Sequence, residues 1–249
     1  MNHNRQSKSI STVAIIPTGG AGRRMESNRP KQYLSLGGLP IIAVTLEVFQ
    51  NCDAIDGIIL VVPAMDVGYC KEKIVRHFKL TKVIKVIAGG EKRQDSVRLG
   101  IEASEGLFDL VLIHDGVRPL INKDIINRVI QATINYGSAI PALPATDTIK
   151  RISHHKKVVQ TFDRQNIFMV QTPQGFHYQD ILTAHQTALK NKEDATDDSS
   201  LVEKLGVPVK VINGSQTNIK ITTIHDLIFA RHLLSLNDKT LRNIKSELY

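Results

Sequence analysis

The feature that most restricts this chain's fold is an alternation of short apolar runs with longer amphipathic stretches. Val13–Pro17, Gly57–Val62, Lys82–Ala88 and Asp109–His114 read as strands, and the first, second and fourth are apolar at almost every position. Between and after them, helices are predicted from Pro40 to about Gln50, over Val67–Phe78, from about Arg93 to Glu105, and from about Asn122 to Tyr136. Pro40 suits the first turn of its helix, where its missing N–H costs nothing. A strand that is apolar on both faces must be covered on both, and strands linked through helices run parallel. The expected class is α/β: a three-layer arrangement with a mostly parallel sheet.

The alternation breaks after Gly137. Strand-like Ser138–Leu143 leads into Ala145–Phe162, whose centre, His154-His-Lys-Lys157, is too polar to pack on the body. That pattern predicts a projecting β-hairpin arm at about 145–163. Helical patterns return at Tyr178–Asn191 and near Thr196–Leu205. Strands are expected at Val207–Ile212 and near Asn218–Ile221, and a helix at Thr223–Leu236. The expected organisation is a single domain over 12–236, with a polar tail at 1–11 and a charged one at 237–249 that forms a short exposed helix. No repeat or linker interrupts it.

Composition narrows the function classes. The longest apolar runs fall short of the roughly 18 residues of a membrane-spanning helix, and Val13–Pro17 is too short for a signal-peptide core. A cytoplasmic protein is expected. Two cysteines, Cys52 and Cys70, leave no disulfide framework and no Cys-x-x-Cys site. The net charge of +8 suits nucleic acid, a membrane surface or phosphorylated small molecules. Aromatics at 5%, no Trp, and basic residues spread rather than clustered favour small anionic substrates over a nucleic-acid surface.

In open parallel sheets, ligands bind beyond the carboxyl ends of the strands. Three such loops carry chemistry. In Pro17-Thr-Gly-Gly-Ala-Gly-Arg-Arg-Met25, the glycines Gly19, Gly20 and Gly22 allow close approach to a phosphate chain, and Arg23, Arg24 and Lys31 add positive charge. It is not a P-loop, since arginines stand where Lys-Ser/Thr is required. Nor is it a dinucleotide fingerprint, since Met25 replaces the third glycine. The alternative is a merely flexible surface loop. Ala88-Gly-Gly-Glu-Lys-Arg-Gln-Asp-Ser96 offers Gly89, Gly90, Arg93 and Ser96, with helix capping by Asp95 or Ser96 as its alternative. In His114-Asp-Gly-Val-Arg-Pro119, Asp115 can hold a metal or a sugar hydroxyl, and Arg118 can clamp a phosphate. Here the alternative is an internal Asp115–Arg118 pair.

These loops, together with Pro30-Lys-Gln32, Asp147-Thr-Ile-Lys150, Asp163-Arg164, Gln171-Thr-Pro-Gln174, Thr196-Asp-Asp198 and Asn218-Ile-Lys-Ile-Thr222, give the chain a resemblance to the sugar-alcohol-phosphate cytidylyltransferases from about Val13 to Leu236. Two positions depart from that family's pattern. The first loop has Thr18-Gly19-Gly20 where Ala-Ala-Gly or Ala-Gly-Gly is common. Gly116 stands where the acidic motif often has Ala or Ser.

The resemblance implies a Rossmann-like nucleotidyltransferase fold and attack of an acceptor phosphate on the α-phosphorus of CTP. It casts Arg24 and Lys31 as transition-state stabilisers, and Arg164 and Lys220 as holders of the acceptor phosphate, with Arg164 reaching across a homodimer on the arm. Magnesium or another divalent cation would sit near Asp115. Ser96 and the backbone at Gly89 and Gly90 would read cytosine. Thr18, Gly19, Gly20, Gly22, Arg93, Gly116, Arg118, Thr148, Thr172 and Thr196 complete the implied substrate-binding set. Thr161-Phe-Asp-Arg164 and Thr196-Asp-Asp-Ser-Ser200 favour methylerythritol phosphate over ribitol 5-phosphate as acceptor, though Thr196 is also a natural N-cap. A basic nucleic-acid-binding protein would leave the two Gly-rich strand-end loops without purpose.

Overall fold

The structure, a computed structural model, describes residues 10–19 and 30–247, with side chains through residue 236. β1 (Thr12–Pro17) is followed by a tight hairpin, β2 (Ser35–Leu36) and β3 (Leu39–Pro40), and by α1 (Ile41–Gln50). β4 (Gly57–Val62) leads to α2 (Val67–Tyr69), which widens into a π-helical run over Cys70–Arg76. β5 (Val83–Ala88), α3 (Arg93–Ala103), β6 (Leu110–Ile113) and α4 (Lys123–Tyr136) complete the alternating half. Asn122 caps α4 by accepting from the backbone N–H of Ile125 at 2.9 Å.

The second half holds β7 (Ser138–Pro144), the arm strands β8 (Lys150–Ile152) and β9 (Val158–Thr161), then β10 (Phe168–Val170) and β11 (Gln174–His177). α5 (Tyr178–Asn191), α6 (Ser199–Lys204), β12 (Lys210–Asn213) and α7 (Ile224–Glu247) follow. The main sheet runs β10-β7-β11-β6-β1-β4-β5, with β12 beside β7. β5, β4, β1 and β6 are mutually parallel; β11 is antiparallel to both β6 and β7.

The alternating half matches its sequence pattern closely, because β1, β4 and β6 are buried on both faces, while β5 at the sheet edge is only partly covered. Ala14 and Ile16 of β1 face a core with Leu46 and Phe49 of α1 and Ile126 and Val129 of α4. Val13 and Ile15 face the other way, onto Val97 and Ile101 of α3 and Ile181 and Ala184 of α5. Full burial of such side chains contributes about 1.5–3 kcal/mol each. A third cluster, with Leu36, Ile41, Val117, Ile221 and Leu227, ties α7 to the small hairpin.

Two expectations need correction. Asn218–Ile221 is not a strand: Ile221 donates to Val117 O at 2.9 Å, but Asn218 donates locally to Ser215 O, so no ladder forms. The C-terminal segment is not a separate short helix, because α7 continues unbroken to Glu247. β10 and β11 were not anticipated. Val170 lies opposite Ala142 and Gly175 opposite Ala139, with Gln171 still donating to Pro141 O across the interruption between them.

Candidate active site

Because β1, β4, β5 and β6 are parallel, their carboxyl ends open onto one rim. A cavity there is lined by Thr18 and Gly19 after β1, Arg93 and Ser96 at the start of α3, Asp115 and Val117 after β6, together with Lys31 and Lys220. Gly20, Gly22 and Arg24 lie outside the described residues. The three loops are tied by backbone bonds. Thr18 donates to Val61 O through both its N–H (2.8 Å) and its hydroxyl (3.1 Å), Gly89 N donates to Val62 O at 2.8 Å, and Gly116 N to Pro17 O at 3.1 Å. A Cβ at Gly89 would come within 2.5 Å of the Ser96 hydroxyl, so that loop needs glycine to reach the helix start.

Asp115 is the centre of charge. Arg93 Nε donates to its Oδ1 at 3.0 Å; Lys220 Nζ lies 2.9 Å from Oδ2, and Arg118 Nε 3.5 Å from the same oxygen. Burial alone would raise the pKa of Asp115, but Arg93, Lys220 and Arg118 outweigh it and hold the carboxyl well below its usual range. The internal Asp115–Arg118 pair is thus present, at ion-pair rather than hydrogen-bond distance. Arg93 also donates through Nη1 to Asp198 Oδ2 at 2.8 Å, and its two carboxylate partners outweigh burial in raising its own pKa. Among the described residues, Lys31, Arg93, Arg118 and Lys220 gather here with the carboxylates of Asp115 and Asp198, a cationic lining that suits an anionic substrate.

His114 is scaffold. Its Nε2 faces the carbonyl of Arg118 at 3.1 Å and so carries the proton; Nδ1, 3.0 Å from the Thr172 hydroxyl, accepts. The Thr172 oxygen in turn accepts the N–H of Asp115 at 3.1 Å. Burial lowers the His114 pKa from 6.5 to about 4, so the ring is neutral at pH 7. The stability it contributes is present above pH 6.5 and is lost as pH falls towards 4. Thr172 therefore fixes the strand end from within and is not part of the lining of the strand-end cavity.

Lys220 is aimed by its neighbours. Asn218 Nδ2 donates to Thr172 O and Arg118 Nη1 to Asn218 O, both at 2.8 Å, while Asp226 accepts from the backbones of Thr222 and Thr223 at 2.7 Å. A second cavity, lined by Arg118, Thr146, Met169, Gln171, Asn218 and Lys220 among others, adjoins the first through Lys220. Arg164 and Thr148 line neither. Arg164 is exposed on a 3-10 turn at the arm's base and donates to the Thr146 carbonyl. Thr196 is exposed and precedes α6, whose capping position is Asp198. Asp198 and Asn218 stood inside quoted motifs without an assigned role; the Asp198–Arg93 bond spans 105 residues, and no local signal marks it.

Among the described residues no group of three or more His, Cys, Asp or Glu side chains is placed to hold a metal ion. Asp115 still fits a cation that arrives on phosphates. A carboxylate offers about four lone-pair sites, and close contacts from Arg93 and Lys220 use two. Magnesium is commonly held by one or two carboxylates plus substrate phosphates.

A cation-rich cavity at the strand ends of a mostly parallel α/β sheet suits a phosphorylated ligand, and the relatives narrow the class to nucleotidyltransferases. The family model described as 2-C-methyl-D-erythritol 4-phosphate cytidylyltransferase matches residues 12–236, and the chain belongs to that family. A relative of that name from Syntrophus aciditrophicus (strain SB) is 46% identical over 222 residues, covering 89% of this chain and 95% of its own. One from Geobacter metallireducens is 41% identical over 224 residues, covering 89% and 96%. The crystal structure of 4-diphosphocytidyl-2C-methyl-D-erythritol synthase from Anaerococcus prevotii DSM 20548 superposes with a TM-score of 0.79 at 32% identity, covering 91% of this chain and 96% of its own. That of the cytidylyltransferase from Thermus thermophilus gives 0.73 at 31% identity, covering 89% and 98%. No helix among the described residues is long and apolar enough to cross a membrane.

Thr18 and Gly116 share one space. A Cβ at Gly116 would lie 2.5 Å from the Thr18 methyl and 2.9 Å from Ile42 Cδ1, so the larger residue at 18 takes the space the smaller one at 116 leaves. Gly116→Ala should therefore cost about 1–3 kcal/mol by overpacking. Thr18→Ala should cost about 1 kcal/mol through its lost hydroxyl bond to Val61. The double variant should lose less than the sum of the two single losses, the contact with Ile42 Cδ1 remaining, and urea unfolding of all four proteins measures the coupling. Additive losses would contradict the shared space.

Proposed function

We propose that this chain transfers the cytidylyl group of CTP to 2-C-methyl-D-erythritol 4-phosphate. The products are 4-diphosphocytidyl-2-C-methyl-D-erythritol and pyrophosphate, in non-mevalonate isoprenoid biosynthesis. The observation that carries this reading is the convergence of Arg93, Arg118 and Lys220 on Asp115 at the mouth of the parallel strands. An acceptor phosphate oxygen attacks the α-phosphorus of CTP, the bond to the pyrophosphate oxygen breaks, and its electron pair leaves with pyrophosphate. Charge grows on the α-phosphoryl oxygens and the leaving group, so positioning and electrostatic stabilisation do most of the work.

In this reading Lys31, with Arg24 from the loop outside the described residues, stabilises the developing charge. A phosphate monoester is already largely ionised at pH 7, so no strong general base is needed. Ser96 and the backbone at Gly89 and Gly90 hold cytosine, and Thr18, Gly19, Gly20, Gly22 and Gly116 shape the phosphate path. Lys220, shared by the two cavities, joins nucleotide to acceptor, and Arg118 lines the acceptor side. Asp115 would hold a divalent cation such as magnesium on the triphosphate, where it supplies charge neutralisation. Arg93 holds Asp115 in turn.

The nucleotide and acceptor specificity is read by pyrophosphate release across four nucleotides and two polyol phosphates. A site that pairs with cytosine's edge leaves its own polar groups unpaired with other bases, so CTP should exceed ATP and GTP by about 10² or more in kcat/KM. Methylerythritol phosphate should exceed ribitol 5-phosphate. Equal turnover of all four nucleotides would overturn the assignment, and a preference for ribitol phosphate would move the acceptor.

The same proposal includes a cytoplasmic homodimer joined through the arm, with one domain over 12–236. Among the described residues β8 and β9 pair only with each other, and Ile152, Val158, Val159 and Phe162 are exposed along with Phe168, Met169 and Val170 of β10. A two-stranded hairpin is marginal alone in water, so this apolar surface calls for a partner. Arg164 and Thr148 would then complete the partner's acceptor site, and Thr196 would lie beside it. Arg164→Ala and Lys31→Ala proteins should each lose activity by about 10² or more. After subunit exchange, one site of the mixed dimer carries both lesions and the other neither, so activity should return. Demonstrated exchange without recovery would place Arg164 in its own subunit's site.

A further inference from the structure

His185 lies on α5 with its side chain fully buried, among Ile181, Ala184 and Ala188 of the same helix, and takes no part in the chemistry above. Its Nε2 is 3.2 Å from Asp198 Oδ1, an electrostatic contact off the line of a well-directed hydrogen bond, and Nδ1 has no partner among the described residues. Asp198 is itself 1% exposed, and its other oxygen takes Arg93 Nη1 at 2.8 Å. Arg93 then reaches Asp115 through Nε at 3.0 Å. We infer that His185 is a positioning residue for the cytidylyl transfer: it orients the Asp198 carboxylate, which orients Arg93, which orients Asp115. The kinetic part of this inference rests on the function proposed above; the structural part does not.

Two observations separate this role from space-filling. The loop that carries Asp198 is fixed independently of His185. Gln174 Nε2 donates to Asp197 Oδ2 at 2.8 Å, and Ser199 N donates to Gln174 Oε1 at 3.0 Å. What His185 adds is a polar neighbour 3.2 Å from one oxygen of a carboxylate that is 1% exposed, where burial makes such a neighbour valuable. Moreover, a buried imidazole with an unpartnered nitrogen is a poor filler compared with leucine. Its presence beside Asp198 follows from the carboxylate, not from the apolar contacts.

The test compares the full-length wild type with His185→Leu and His185→Gln, the second of which keeps a neutral N–H where Nε2 lies. The first readout is solvent exchange of the Arg93 Nε–H by NMR, assigned with Arg93→Lys. Exchange should be about tenfold faster in His185→Leu and near wild type in His185→Gln, the size of coupling expected between groups in one network. The second readout is steady-state kinetics. KM for CTP should rise about tenfold in His185→Leu while kcat changes by less than about threefold, with most of the loss restored by glutamine. In an Asp198→Asn background, His185→Leu should add nothing further. Unchanged Arg93 exchange, a glutamine variant no better than leucine, or independent losses in the double variant would each overturn the inference. If the wild type does not use CTP, the functional reading fails, and the exchange measurement still decides the positioning role.

Discussion

A buried carboxylate needs its charge answered, and in this chain Asp115 is answered from three directions. Arg93 comes from the start of α3, Arg118 from the loop after β6 and Lys220 from the segment before α7. Each of those cations would be repelled by the others if Asp115 were neutral. Their convergence fixes how the loops meet and gives the site its polarity. Around this centre a neutral layer forms a rigid floor, in which His114, Thr172 and Asn218 bond one another and the backbone. Arg93, Arg118 and Lys220 also line the cavities beside Asp115, where a phosphorylated substrate would meet positive charge.

The sheet makes this convergence possible. Parallel strands put the ends of β1, β4, β5 and β6 on one rim, and burial of β1, β4 and β6 on both faces keeps that rim from shifting. Small adjustments are then shared between neighbouring loops. The Thr18 methyl fits against Gly116, and the Thr18 hydroxyl reaches the end of β4. A change in one loop alone would push directly on the residue beside Asp115.

The alternating half was legible in sequence because its signals are local: continuous apolar runs and an amphipathic helix after each. β10 and β11 were not, since Phe168–His177 is short and broken at Gln171–Pro173, and its pairing with β7 and β6 is set at long range. Asn218–Ile221 looked like a strand from its alternating apolar residues. Ile221 is instead drawn into the α7 cluster, while Asn218 spends its side chain on Thr172. Of the site, the charged members of the strand-end loops were visible as motifs. Their partners were not: nothing near Asp198 announces an arginine 105 positions away, and His185 looks like any helical residue.

Asp115→Asn tests the central claim most directly, because asparagine keeps the shape and removes the charge that Arg93, Arg118 and Lys220 share. Unfolding and CTP–magnesium affinity are measured on the same protein. Removing the counter-ion that Arg118 shares with the partly exposed Arg93 and Lys220 should cost about 1–3 kcal/mol of stability. Loss of the carboxylate at the triphosphate should weaken CTP–magnesium binding by about tenfold or more. An asparagine variant that unfolds at the wild-type urea concentration and binds CTP–magnesium as the wild type does would contradict Asp115 as the organising charge.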